Sequence, residues 1–242
     1  MKISVILPAY NEEEIIEKNT IIVDDFLAKN FVNYELIIVT GGSTDKTEEI
    51  MYALAEKRPN IKVISYPFNR GKGAAVRIGA LAAVGDEILF TDSDLAYEPK
   101  FLIDCHNALA EHDVAIGSRY VDYGKSKDRS RYALKRSLMS KVFIRYTNFI
   151  LQTKFTDIQA GIKGFRKEFA KDAFSKLKIF GFGFDAEILA LAKVGNFSIG
   201  EFRVEVTETR KSSKVRIIRD SILMFFNVLN IKWRILYYEE KV

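Results

Sequence analysis

Apolar positions in the first half of the chain come in two alternating textures. Short runs rich in β-branched residues, Ile3 to Leu7, Tyr34 to Val39, Lys62 to Ser65, Glu87 to Thr91 and Val114 to Ile116, have the length of buried strands. Between them the spacing turns helical. Glu12 to Leu27 carries Ile15, Ile16, Ile22, Val23, Phe26 and Leu27 at helix-face intervals, and a second helix follows the turn Gly41-Gly42-Ser43, where Thr44 or Asp45 can cap it. An Ala-rich stretch after Gly71 and Gly73 reads as a helix to about Val84, and Pro99 to Glu111 as another. This β-α-β-α order predicts an α/β fold, a doubly wound and mostly parallel sheet flanked by helices. Ligands bind beyond the carboxyl ends of the strands in such sheets, so the loops after Leu7, Val39, Thr91 and Ile116 are expected to form the site.

The second half loses that rhythm. Arg119 to Arg131 is a polar, basic connector, and Tyr132 to Leu151 predicts one long helix whose Leu138, Met139, Val142, Phe143, Tyr146, Phe149 and Ile150 share a face. Shorter helices are expected near Lys167 to Leu177 and from Asp185 to Lys193, and Ser198 to Thr207 alternates like an edge strand. Ile217 to Tyr238 is rich in large apolar residues, including Ile222, Phe226 and Trp233, and is expected either to pack on the domain or to lie in a lipid interface. With no repeat and no linker, residues 1–220 read as one domain followed by an apolar segment, 221–242.

The 242 residues are enough for one large domain with its own core. The apolar runs fall well short of the roughly 20 residues that span a bilayer, and the N-terminus lacks the pattern of a secretion signal. Cys105 is the single cysteine, which excludes an internal disulfide and fits a reducing compartment. Charge is unevenly placed. Residues 1–118 hold 11 Lys and Arg against 19 Asp and Glu, a net of −8, whereas residues 119–242 hold 26 against 13, a net of +13. The acidic half suits a metal or a neutral polar ligand, and the basic half invites phosphates or anionic lipid. From Lys125 to Arg145 eight basic residues face one acid, which fits a membrane surface, or alternatively a core-facing helix with a solvated basic side. No nucleic-acid-binding module is recognisable, so nucleic acid is not an expected partner.

The sharpest chemical feature is Asp92-Ser93-Asp94 at the exit of the fourth strand. Two carboxylates one residue apart can share a hard divalent cation that also takes phosphate oxygens, pointing to Mg²⁺ or Mn²⁺ on a diphosphate; the same tripeptide can also be a solvated acidic turn. Pro8-Ala9-Tyr10-Asn11-Glu12-Glu13 leaves the first strand at the same edge, where a ring could stack on a base. Arg70-Gly71-Lys72-Gly73 lacks the spacing of a P-loop and is either a closely packed helix start or a contact to donor phosphate. His106 and His112 lie on the helix leading away from this edge and receive no catalytic role.

With these motifs, and with Gly42 to Thr47, Asn69 to Gly73, Gly117-Ser118-Arg119, Asp157 to Phe165, Phe184 to Glu187 and Ser212-Ser213-Lys214 in that order, the sequence resembles the family-2 glycosyltransferases of the GT-A fold over about residues 1–220. The spacing is similar to the dolichyl-phosphate and polyprenyl-phosphate sugar synthases, and the Asp157 to Phe165 block to their glucose-transferring branch. The resemblance implies a peripheral enzyme at the cytoplasmic membrane face that moves a hexose from UDP-glucose or GDP-mannose to a polyprenyl or dolichyl phosphate. It implies that Pro8, Tyr10 and Glu12 flank the nucleoside and that Thr40 belongs to the donor site. Asp92 and Asp94 would hold the metal, and Lys72 and Ser93 would lie beside the donor. Arg119, Arg131 and Lys214 would bind the acceptor phosphate, Arg131 and Lys214 alternatively the donor diphosphate, and Asp157, Gln159, Asp185 and Glu187 would line the sugar pocket; Asp94, Arg119, Asp157 and Asp185 form the implied catalytic set. Two departures stand out. Thr40-Gly41 replaces the pair of acids that usually follows the second strand, and Ala96 replaces a metal-binding Gln of some mannose-transferring relatives.

The chemistry favours a phosphate acceptor independently of the resemblance. A hydroxyl acceptor needs a positioned general base, for which Asp157, Asp185 or Glu187 would serve, whereas a phosphate monoester is already ionised near neutral pH. A third expectation, motivated by Thr40-Gly41, is a catalytically silent relative that binds membranes.

Overall fold

The structure, a computed structural model, describes residues 1–121, 131–207 and 217–239. Seven strands form one sheet in the order β3-β2-β1-β4-β6-β5-β7. They are β1 (Ile3–Ala9), β2 (Tyr34–Gly41), β3 (Ile61–Tyr66), β4 (Glu87–Thr91), β5 (Val114–Ser118), β6 (Ile162–Arg166) and β7 (Ile199–Arg203). β1 runs parallel to β2 from Ile3 opposite Tyr34 to Ala9 opposite Thr40, and parallel to β4 from Ile3 opposite Glu87. Every residue of β2 and β4 is buried, as the unbroken apolar runs require of strands covered on both faces. Successive side chains then serve two cores. Ile6, Ile37, Val39, Ile88 and Phe90 face one, and Val5, Leu7, Leu36, Ile38 and Leu89 the other.

Helices α1 (Ile16–Asn30), α2 (Thr47–Lys57) and α4 (Phe101–Leu109) contribute to the second core. Helices α3 (Lys72–Ala82), α6 (Lys167–Lys176), α7 (Phe184–Val194) and α8 (Ile217–Glu239) contribute to the first, together with α5 (Arg131–Leu151). The first helix starts four residues later than its apolar spacing suggests, because Glu12 to Ile15 form a turn whose backbone is held by Glu12 O. The apolar C-terminal stretch packs on the domain: Met224, Val228 and Ile231 enter the core, and the Tyr146 hydroxyl of α5 donates to Phe225 O at 3.2 Å.

β6 is the element the hydrophobic pattern hides. It is antiparallel to both β4 and β5, pairing Thr91 with Ile162 and Ile116 with Lys163. A lysine and a glycine interrupt its apolar run, each for a local reason. A Cβ on Gly164 would meet Cys105 Sγ at 2.5 Å, so glycine lets α4 approach the sheet, and Lys163 has a buried counter-ion. Running backwards, β6 brings its first residues to the carboxyl edge of the parallel strands.

The opposite edge is closed by Glu35, 2% exposed on β2. It accepts from the Ser4 hydroxyl at 2.5 Å, Lys62 Nζ at 2.6 Å and the Val84 amide at 2.8 Å. Burial opposes its ionisation, yet Lys62, Ser4 and Val84 prevail and hold its carboxyl down to about 2, from an ordinary 4.5. A group depressed in the folded state stabilises the fold above its unfolded value and loses that contribution as pH falls through the folded one. Urea unfolding between pH 4.5 and 2 is therefore expected to show a loss of about 2 kcal/mol from this group, with Lys62 half-exposed and partly screened, and Glu35→Gln should flatten the dependence.

Candidate active site

The loops leaving β1 and β2 are tied into one unit. Asn11 sits at φ +51°, in the left-handed region; its amide donates to Ser43 Oγ at 3.1 Å and its side-chain carbonyl accepts from the Thr44 amide at 2.8 Å. The Glu12 amide donates to Thr47 Oγ1 at 2.7 Å, anchoring the turn to α2. Pro8 is half-buried between the buried Leu7 and Ala9 of β1, and Tyr10 beyond them is 36% exposed. Thr40 is buried, its hydroxyl 2.9 Å from Ser43 Oγ. Gly41 has a steric explanation. A Cβ there would overlap the ring and hydroxyl of Tyr66, the last residue of β3, so the aromatic side chain fills the space an acid would need.

The acidic loop after β4 follows the same edge. Lys72, the first residue of α3, places Nζ 2.5 Å from Asp92 Oδ1. The other carboxylate oxygen lies against Gly161, where any Cβ would overlap it. Asp94 Oδ1 accepts from the Ala96 amide at 3.0 Å, with Leu95 between them at φ +49°. Ser93 is buried, and its carbonyl accepts from Asn19 Nδ2 at 2.8 Å. Thr207 straps the loop down, donating its amide to Ala96 O at 3.0 Å and its hydroxyl to Leu95 O at 2.8 Å. The glycines before and within α3 also have packing reasons: a Cβ on Gly71 would strike Phe180 O at 2.5 Å, and one on Gly73 the Phe184 Cβ at 2.7 Å. The Arg70-Gly71-Lys72-Gly73 motif is thus a close-packed helix start, and its lysine pairs with the acidic loop.

A second pair faces the loop after β5. Arg119 grips Asp157 through Nε to Oδ2 at 2.6 Å and one terminal nitrogen to Oδ1 at 3.0 Å, while its amide donates to Oδ2 at 3.2 Å. Burial pushes the Asp157 carboxyl up, but Arg119 overrides it and the net direction is down; in the opposite sense Asp157 raises Arg119. Gln159 donates its amide to Asp157 Oδ1 at 3.0 Å and its side chain to Met224 Sδ at 3.7 Å. Lys163 Nζ lies 2.7 Å from Asp185 Oδ1 at the start of α7, as an ion pair without hydrogen-bond alignment. Burial raises the Asp185 carboxyl, partly countered by Lys163 and Lys72. Glu187 is engaged otherwise: it accepts from the amides of Lys178 and Ile179, at 3.1 and 2.7 Å, and pairs with Arg234 of α8 at 2.7 Å. It braces a loop and a helix.

The structure therefore brings Lys72, Asp92, Arg119, Asp157 and Asp185 to one edge. Arg131 begins α5 with its side chain outside the described residues, and Lys214 lies outside them altogether. Sequence reasoning missed Tyr97 and Lys163. Tyr97 is 4% exposed among the charges of Arg119, Asp157, Asp92 and Lys72, and burial pushes its phenol up to about 12. Its place three residues after Asp94 was the available signal; Lys163 offered only its position inside the Asp157 to Phe165 block.

Among the described residues no group of three or more His, Cys, Asp or Glu gathers to hold a metal. Asp92 and Asp94 alone would fit a hard cation that takes its remaining oxygens from a ligand and water, with Lys72 now compensating Asp92. Asp157→Asn should destabilise the protein by about 3 kcal/mol in urea unfolding, because Arg119 would be left buried without its counter-charge; an unchanged midpoint would contradict the pairing.

The sequence profile of Glycosyl transferase family 2 matches residues 4–174. A dolichyl-phosphate β-glucosyltransferase of Dictyostelium discoideum is 34% identical, the alignment covering 97% of this chain and 75% of that protein. The Homo sapiens protein of the same name is 29% identical over 97% of this chain and 78% of its own length. A dolichol-phosphate mannosyltransferase of Pyrococcus furiosus is 36% identical over 80% of this chain and 53% of its own length. In three dimensions the chain superimposes, with a TM-score of 0.70 at 23% identity, on glucosyl-3-phosphoglycerate synthase of Mycobacterium tuberculosis crystallised with Mn²⁺, UDP and phosphoglyceric acid, covering 96% of this chain and 78% of that one. The expected mostly parallel GT-A sheet is thus the observed one, and the chain belongs to glycosyl transferase family 2.

Proposed function

We propose that the protein transfers a hexose, glucose before mannose, from a nucleotide sugar to a polyprenyl or dolichyl phosphate, with inversion at the sugar carbon. The observation that carries this reading is the pairing of the carboxylates. A hydroxyl acceptor would need Asp157, Asp185 or Glu187 as a free base, and each is paired with a cation: Arg119, Lys163 and Arg234. A phosphate acceptor arrives ionised and needs positive charge to hold it, which Arg119 and the basic second half provide. The names of the relatives, dolichyl-phosphate glucosyltransferases and a mannosyltransferase, point to the same acceptor.

In this reading an acceptor phosphate oxygen attacks the anomeric carbon as the bond from that carbon to the nucleoside diphosphate breaks, the departing oxygen keeping the electron pair. Mg²⁺ or Mn²⁺ at Asp92 and Asp94 would supply Lewis-acid charge to the leaving diphosphate. Lys72, at the N-terminus of α3, adds its own charge and that of the helix end on the same side. Arg119 is fixed in orientation by Asp157, so its remaining N–H groups are pre-aimed at the acceptor. Tyr10 and Tyr66 offer aromatic faces beside the nucleoside, Gly41 leaving room for the latter.

A lipid-borne acceptor requires the enzyme to sit on a bilayer. Among the described residues no helix is long and apolar enough to cross a membrane. The adjacent helices α5 and α8 instead turn stripes of apolar residues outward: Val142 and Phe149 on one, Phe226, Leu229 and Trp233 on the other, with Phe149 and Trp233 each 81% exposed. Their inner sides are occupied by core packing, with Phe143 and Phe225 rings 5.5 Å apart. Lys141, Arg145 and Lys232 belong to the same two helices, so the pair presents apolar anchors with basic side chains, the chemistry of an anionic interface.

Incubated with Mn²⁺, radiolabelled UDP-glucose and dolichyl phosphate, the protein should form a chloroform-soluble labelled product. Asp92→Ala and Asp94→Ala should each lower its rate by about 100-fold or more; label found only on soluble glycans would refute the acceptor. Phe149→Ser/Trp233→Ser should pellet less with phosphatidylglycerol-containing vesicles while keeping its thermal midpoint, and undiminished pelleting would remove the membrane face.

A further inference from the structure

Among the described residues Lys163 is the one lysine of the largest fully buried side chains, 1% exposed as the second residue of β6. A strand position enclosed by Phe90 and two neighbouring strands ordinarily takes an aliphatic residue, since a buried charge must be compensated and an apolar side chain of similar volume is often no less stable. Its ammonium has three neighbours. It donates to Ala160 O at 2.7 Å, lies 2.7 Å from Asp185 Oδ1, and sits 5.6 Å from the centre of the Phe90 ring. Lys72 approaches the same ring at 5.4 Å while holding Asp92. The two lysines and two aspartates therefore form a compact set around one aromatic side chain, each ammonium matched to one carboxylate.

Asp185 is the member that depends on this arrangement. It is 7% exposed, and its Oδ1 has no aligned hydrogen bond. Deprived of Lys163, a carboxylate so enclosed takes up a proton. We propose that Lys163 is a positioning residue for the transfer reaction: fixed by Ala160 O, its ammonium keeps Asp185 ionised and oriented at the start of α7. The proposal rests on the reading that Asp185 lines the sugar pocket.

The test compares wild type with Lys163→Met, Asp185→Asn and the double variant, by difference infrared spectroscopy at neutral pH and by the rate of nucleotide release from the donor. A protonated-carboxyl band should appear in Lys163→Met and vanish in the double variant. The kcat should fall about tenfold in Lys163→Met and in Asp185→Asn, and no further when the two are combined, with a much smaller change in donor KM. Lys163→Gln serves the same comparison if Lys163→Met does not fold. A Lys163→Met protein with a lowered melting temperature, unchanged kcat and no new band would make the lysine merely structural and overturn the proposal, as would kinetic losses that multiply in the double variant. The band is read without substrate, so a wild-type enzyme that glucosylates no polyprenyl phosphate would discard the acceptor while the infrared result still judged Lys163.

Discussion

The carboxyl edge and the helices behind it depend on matching each buried or half-buried carboxylate with a cation from a different part of the chain. Lys72 of α3 meets Asp92, Arg119 after β5 meets Asp157, Lys163 of β6 meets Asp185, and Arg234 of α8 meets Glu187. An unpaired charge in such surroundings would cost more than any one contact returns, so the pairs dictate which elements must come together. They also dictate chemistry. Asp157, held below its ordinary range by Arg119, is a poor proton acceptor, and pairs of this kind suit a site to holding charge.

The same economy shapes the backbone. Gly161 has no Cβ because the Asp92 carboxylate occupies that volume, and Gly41 has none because the Tyr66 ring does. Thr207, from beyond β7, ties down the acidic loop with two hydrogen bonds, and Asn11 does the same between the first two loops. The rigid sheet supplies the platform, and a few side-chain ties give the loops one conformation.

The parallel half of the fold was legible because doubly buried strands must be continuous apolar runs and their helices must show a face. The placing of Asp92 and Asp94 at a strand exit followed from that directly. β6 was not legible, since Lys163 and Gly164 break the run and their justification lies in Asp185 and Cys105, remote in sequence. Likewise nothing local to Thr40-Gly41 announces Tyr66, and Arg119 and Asp157 stand 38 positions apart with no periodic pattern to link them. The long basic helix offered two readings, a core face or a lipid face. Its inner residues Phe143 and Leu151 are core, while Val142 and Phe149 point outward.

The reversed direction of β6 also constrains the order in which the molecule can assemble. During synthesis β1 to β5 emerge first, yet β4 and β5 are not neighbours, because β6 fills the gap between them. Until residues 162–166 leave the ribosome, the facing edges of β4 and β5 have no partner, and open strand edges invite association with other chains. The nascent protein therefore carries an unfinished sheet for some seventy residues after β4, and the edge that gathers the charged pairs is among the last parts to take shape.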